Sequence, residues 1–250
     1  MIVIDAEGDP WMRSGRGPIV ISWSFGTITV TCSGKGVAAY ARYAGDPAAT
    51  SSPQPTAAAT ASLATPPAMV PIDRLMTIVP LPDLVQGSPS ASITIIEYAS
   101  TTCSHCAAFH ETTWPELKAK YIDSGRAKFI LREFPLDPLA TASFMLARCA
   151  GPDKRNVVVD QLLSRQKTWA FVDKPLEALL LLVEEIGISQ TDAEACLKNE
   201  DLYRRVRRSR ELAAAAFNID STPTFFVDGH KLKGELTISD FDRVIDPLAK

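Results

Sequence analysis

Two cysteines and a histidine fall within four positions in Cys103-Ser104-His105-Cys106, inside the stretch EYASTTCSHCAAFH at 97 to 110. Sulfurs spaced this way can clip a metal, close a small structural loop or exchange disulfides, so their setting has to discriminate. The apolar run before them has the pattern of a strand and the residues after them that of a helix, which puts Cys103 at a helix N-terminus. A thiolate there faces unpaired backbone N–H groups and the positive end of the helix dipole, and His105 offers a further donor or cation. Bringing a thiol from about 8.5 down to about 4 takes some 6 kcal/mol. The dipole supplies at most about 2 kcal/mol, so direct hydrogen bonds to the sulfur and His105 must carry the rest. A reduced form stabilised in this way makes the disulfide a stronger oxidant, and such a pair gives disulfides away rather than removing them.

The other two chemistries ask for more than these residues provide. A structural zinc or copper site needs further ligands, four in all for zinc, and with no second cysteine pair only His105, His110, Cys149 and Cys196 are at hand to complete it, at irregular spacing. A crosslink across two intervening residues closes so small a loop that it removes little unfolded-state entropy. His110, one turn beyond Cys106, is expected to be a surface or boundary residue rather than a ligand. Glu97, six residues before Cys103 on a strand with a buried pattern, is either a satisfied structural carboxylate or a proton acceptor for Cys106. Tyr98 is expected to be packing.

The elements that position these groups can be read outward from them. ITIIEYA (93 to 99) is predicted to be a strand, HCAAFHETTWPELKAKYI a helix kinked at Pro115, and AKFILREF (127 to 134) a parallel second strand, which together make a βαβ unit. From 135 to 221 the patterns are helical, longer than a crossover needs, so most of this stretch, about 137 to 198, is read as an inserted helical subdomain. TFFVDGHKLKG is predicted to be a hairpin turning at Asp228-Gly229, with His230 a solvated strand residue. A helix from about Ile238 to Leu248, capped by Thr237 or Ser239, closes the chain. Pro223 cannot donate to a ladder, so it leaves an edge where an extended peptide could pair with the Thr222 backbone; alone, it would be an ordinary strand-opening proline in trans.

Composition narrows the class of protein. The 250 residues carry a formal net charge of -3, are 46% hydrophobic and 22% charged, and show no excess of positive charge for nucleic acid. The arginines of YRRVRRSREL (203 to 212) are read as a solvated helix face. Five cysteines are too few for a disulfide scaffold, and their odd number leaves one unpaired. Residues 1 to 44 look like a signal peptide or membrane anchor: Arg13 and Arg16 precede an uncharged stretch from Gly17 to Gly34, and Ala39-Tyr40-Ala41 offers a cleavage site. The alternation TITVT inside it also suits a β-strand. Cys32 lies there, so cleavage would leave an even number of cysteines. Residues 45 to 72, rich in Ala, Pro, Ser and Thr, are expected to be a linker, and the folded domain spans 73 to 250.

Strand-C-x-H-C-helix, a long helical insertion and a Thr-Pro opening a later strand resemble the DsbA-like branch of the thioredoxin superfamily. The segments EYASTTCSHCAAFH, REFPLDPLA and TPTFFVDG carry the resemblance, which covers roughly residues 73 to 250. It implies an α/β thioredoxin fold, an exposed nucleophile at Cys103, a shielded resolving thiol at Cys106, a cis Thr222-Pro223 bond beside the sulfurs, and a helical insertion that covers the site and shapes a peptide groove. Glu97 matches an acidic position recurrent in the family. Ser104-His105 stands where the best-known members carry Pro-His. Cys149 and Cys196 fall in different predicted helices; in an exported chain they are expected to bridge, as in some members, and otherwise to pack as small apolar residues. The activity implied is thiol-disulfide oxidoreduction, with a reductase or isomerase of the same fold or a metal-binding module as alternatives. The expected partners are reduced exported proteins and a DsbB-like membrane protein that reoxidises the pair, with a periplasmic, secreted or membrane-anchored monomer, no nucleic acid and no bound cofactor.

Overall fold

The computed structural model describes residues 69 to 248, together with the backbone of three strands nearer the N-terminus. The chain divides into two units, Met1–Thr60 and Ala61–Lys250. In the first, β1 (Ile2–Ile4), β2 (Ile19–Ser24) and β3 (Thr27–Cys32) pair as an antiparallel sheet in that order. The alternation TITVT falls in β3. The remaining leader features, Ala39-Tyr40-Ala41 and the linker as far as 68 lie outside the described residues.

The second unit opens with α1 (Ile72–Thr77) and the two-residue strand β4 (Val85–Gln86), neither of which has enough periodicity to show in the sequence. β5 (Ile93–Ala99) is buried at every position, as expected of a central strand covered on both faces. Alternation divides its side chains: Ile93, Ile95 and Ala99 enter one core, and Ile96 and Tyr98 the other. Glu97 therefore shares a face with Ile95 and Ala99.

The helix expected after β5 arrives in three pieces: α2 (Ser104–Thr112), α3 (Trp114–Leu117) and a π-helical turn at Lys118–Ile122. The break falls at Thr113, just before Trp114-Pro115, because proline cannot donate its share of the helical ladder. β6 (Ala127–Glu133) runs parallel to β5, with Ile93 opposite Ala127 and Ala99 opposite Glu133.

The insertion comprises α4 (Pro138–Cys149), α5 (Pro152–Ser164), α6 (Gln166–Trp169), α7 (Pro175–Glu185) and α8 (Gln190–Leu197). Asp137 caps α4 by accepting from the Ala140 N–H, and Ser189 does the same for α8 from Asp192. The longer α9 (Glu200–Phe217) ends at Asn218 in the left-handed conformation (φ 52°), a common helix stop. Its arginines mix surface and tethering roles: Arg204 and Arg208 pair with acids along the helix, whereas Arg205 donates to the Pro80 carbonyl and Arg210 to those of Pro135 and Leu136.

β7 (Thr224–Val227) and β8 (His230–Lys233) form the hairpin, and α10 (Ile238–Leu248) follows. Asp228 and Gly229 both have positive φ, 45° and 90°, as the tight turn between paired strands requires. A side chain at Gly229 would also strike the Val70 carbonyl. The sheet order is β4-β6-β5-β7-β8, all antiparallel except β5 with β6. His230 pairs with Val227 and bridges Met69. The two lysines of β8 are tethered, Lys231 to the carbonyls of Phe217 and Asn218 and Lys233 to the Asp220 carboxylate. At α10, the Asp240 carboxylate accepts from the Thr237 N–H and hydroxyl.

The sheet has a core on each face. One joins α2, α3, α10 and the insertion through residues such as Phe109, Phe225, Leu146, Leu162 and Phe241. The smaller one packs Leu75 of α1 and Ala213 and Phe217 of α9 on Tyr98, Ile130 and Phe226. This is the thioredoxin-like arrangement, with the helical insertion joined between β6 and α9.

Candidate active site

Cys103 is the residue before α2, with extended backbone angles, and its carbonyl accepts the first helical bond from the Ala107 N–H. Its sulfur is therefore at the mouth of the helix, in the position its sequence context suggests. It is more recessed than the exposed nucleophile expected of it: only 9% of Cys103 is accessible, and Cys106 is sealed. The cover comes from the loop before β7. The Thr222-Pro223 peptide is cis, and the Cys103 sulfur lies 3.3 Å from the Thr222 carbonyl oxygen.

Both cysteines are free thiols, and they differ in acidity. A hydrogen bond from the Cys106 thiol is the largest influence on Cys103; burial opposes it, and hydrogen bonds from Thr222 and from the backbone N–H groups of Cys106 and His105 add to it. Together they hold the Cys103 thiol down to about 5. Cys106 moves the other way: burial, its bond to Cys103 and the charge of Glu97 raise it well above the usual thiol range. One sulfur is thus suited to be a thiolate and the other to keep its proton.

The part expected of His105 needs correction. Its side chain is 68% exposed and its Nδ1 is 3.4 Å from Glu235 Oε2, so the ring faces solvent and an acid. What His105 gives the sulfur is its backbone N–H. Ser104, also exposed, begins α2. His110 departs further from expectation. It is buried, with Nε2 2.8 Å from Glu97 Oε2. The reason is geometric: His110 follows Cys106 by four positions, on the helix face turned to the sheet, and Glu97 is on the strand face turned to that helix. Tyr98, on the opposite face, packs against Phe217 and Phe226 and hydrogen-bonds Arg132.

The insertion grips the loop that carries Cys103 directly. Gln166 of α6 donates to the carbonyls of Thr101 (2.7 Å) and Cys103 (3.0 Å). Thr101 shares a hydrogen bond with Ser143 of α4, and the Thr102 hydroxyl donates to Asp137. Gln166 carries no local signal in the sequence, since its partners lie more than sixty residues earlier. Cys149 and Cys196 form a disulfide that joins α4 to α8. The groups that could have completed a metal site are therefore engaged elsewhere, and among the described residues no three His, Cys, Asp or Glu side chains converge as a ligand set.

A thioredoxin family model matches residues 81–247. The chain is a DsbA-like member of the thioredoxin family. Among solved structures, α-DsbA1 of Wolbachia pipientis is 29% identical and superposes with a TM-score of 0.65 over 70% of this chain and 95% of that one. BdbD of Bacillus subtilis shares the fold at 18% identity, with a TM-score of 0.60 over 73% of this chain and 97% of that one. A Rickettsia typhi protein provisionally named a protein-disulfide oxidoreductase is 32% identical over 165 residues, 66% of this chain and 61% of the relative. The DsbA-like chain thus spans about three fifths of the length of the curated relatives it matches.

Proposed function

We propose that this protein is a thiol-disulfide oxidoreductase that donates the Cys103–Cys106 disulfide to exported proteins. The observation that carries the reading is the acidity of Cys103, held at about 5 by donors converging on its sulfur. A thiolate stabilised to that degree favours the reduced pair and makes its disulfide oxidising.

In the forward reaction a substrate thiolate attacks Cys103 Sγ. The Cys103–Cys106 bond breaks, and Cys106 leaves with the electron pair and takes a proton, for which buried Glu97 is the nearby carrier. A second substrate thiolate then attacks the substrate sulfur of the mixed disulfide and releases Cys103 as a thiolate. The substrate loses two electrons and gains a disulfide; the pair gains both. The Thr222 backbone beside the sulfur is the edge on which an extended peptide can pair. A DsbB-like membrane partner would restore the disulfide. Delivery to the periplasm or outside the cell rests on the uncharged leader with its flanking arginines, and the domain is expected to act as a monomer. Among the described residues no helix is long and apolar enough to cross a membrane.

The acidity argues against a reductase, whose pair should be poised in the opposite sense. Equilibration with glutathione buffers is the test, together with oxidation of a dithiol peptide. An oxidising couple with peptide turnover is expected; a strongly reducing couple would overturn the donor assignment and leave the fold untouched.

A further inference from the structure

Behind the sulfurs lies a line of three ionisable side chains from three elements. Glu97 rises from β5, His110 hangs from α2, and Asp160 stands on α5. Glu97 Oε2 and His110 Nε2 are 2.8 Å apart, and His110 Nδ1 is 3.6 Å from Asp160 Oδ1. The first two side chains are sealed, at 0% and 2% exposure, whereas Asp160 is 38% exposed. The line therefore runs from the buried side of Cys106 to solvent.

Two atoms on it are buried without a hydrogen-bond partner: Glu97 Oε1 and His110 Nδ1. Such atoms are costly in a fold and call for a reason. The first belongs to a carboxylate near enough to Cys106 for its charge to depress the acidity of that thiol. The other faces the surface acid, 3.6 Å from its Oδ1. Aromatic walls from Phe109 and Trp114 flank the ring. Arg155, earlier on α5, feels Asp160 but is bound to Glu133.

We propose that His110 and Asp160 form a proton wire that connects Glu97, and through it Cys106, to solvent. The inference rests on the reading of Glu97 as the proton carrier of Cys106. When Cys106 gives its proton to Glu97 during reoxidation, the carboxylate is neutralised and the His110 imidazolium is left as an isolated buried charge. That is unfavourable, so the ring releases its Nδ1 proton to Asp160 and water. When Cys106 leaves as a thiolate during substrate oxidation, the proton returns by the same path. Each half-cycle moves one proton and leaves no net charge stranded in the core. Burial opposes a charged ring, but the charge of Glu97 and the contact with Asp160 outweigh it and lift His110 to about 9, so the ring is protonated at neutral pH in the dithiol form.

His110 and Asp160 are positioning residues in this scheme, and their test separates the two thiols. The full chain is loaded with glutathione on Cys103, and the release of glutathione by Cys106 is followed from pH 5 to 9 in stopped flow. Asp160→Asn and His110→Gln should slow release about three- to tenfold below pH 7 and flatten its pH profile. Formation of the mixed disulfide by Cys103 should stay within a factor of two. Asp160→Glu should recover most of the rate. If release keeps its wild-type profile in Asp160→Asn, or if both steps slow together without rescue by Asp160→Glu, the wire is overturned. Should His110→Gln fail to fold, the two Asp160 variants decide alone. Release is a property of any reactive dithiol pair, so a wire can be found in a protein that proves to be no disulfide donor, and a donor can prove to have none.

Discussion

Cys103 holds a negative charge at neutral pH while only 9% accessible, so its counter-charge must come from donors in contact with it. Alkylation of Cys103 in the reduced protein should accordingly titrate near pH 5. His105→Ala should shift that midpoint by less than about half a unit, because the ring faces Glu235 and the backbone N–H survives the change; a shift beyond one unit would restore the imidazole to the mechanism. The same thiol ties stability to pH. Unfolded it titrates near roughly 8.5, and folded near 5, so its contribution is fully present above the higher value and is lost as pH falls through the lower one. The disulfide form has no such group. Melting temperatures of the reduced and oxidised proteins should therefore diverge in favour of the reduced form as pH rises from 5 to 8.5. His110 works in the opposite direction, its stabilising charge fading as pH climbs from about 6.5 toward 9, so the divergence is cleanest in the acid half of that range. The cysteine pair could be found in the sequence because its spacing is local. His110 and Glu97 could not be paired there, although a strand period of two and a helix spacing of four, applied together, do put them face to face.

At the scale of elements, the contact between α6 and the redox loop is the one with most consequence. Gln166 satisfies two buried carbonyls, those of Thr101 and Cys103. Replacing it by Ala leaves both unpaired, at about 1–3 kcal/mol for such a group. Urea unfolding of Gln166→Ala should show a lower midpoint at unchanged slope, and the loop amides from Thr101 to Cys103 should exchange faster with solvent. The strand-helix-strand unit, the hairpin and the last helix lay open in the sequence because each has a periodicity or a turn dipeptide of its own. α1 and β4 did not, being too short for a period to develop. The division of the long helix at Thr113 was readable in kind, from Pro115, but the π-helical turn that follows was not, since no residue type marks it.

At the scale of the whole molecule, the disulfide between α4 and α8 encloses most of the inserted subdomain. The bridge spans a sequence separation of 47, for which the chain-entropy argument gives about 4 kcal/mol. The double variant Cys149→Ser with Cys196→Ser should lose stability of that order in urea, while a loss below about 1 kcal/mol would mean that helix packing alone sets the geometry of the insertion. In the sequence, the meeting of these two sulfurs follows only from the leader and the family resemblance. No pattern within the helices themselves aims α4 at α8.

The open margin of the sheet bears on how copies of the domain treat one another. Met69 covers the start of β8, and beyond it the unpaired backbone is guarded by Lys231 and Lys233, whose ammonium groups are anchored and cannot easily swing aside. Two such margins brought together would set the Lys231 ammonium of one against that of the other, a like-charge encounter that disfavours zipping of their ladders.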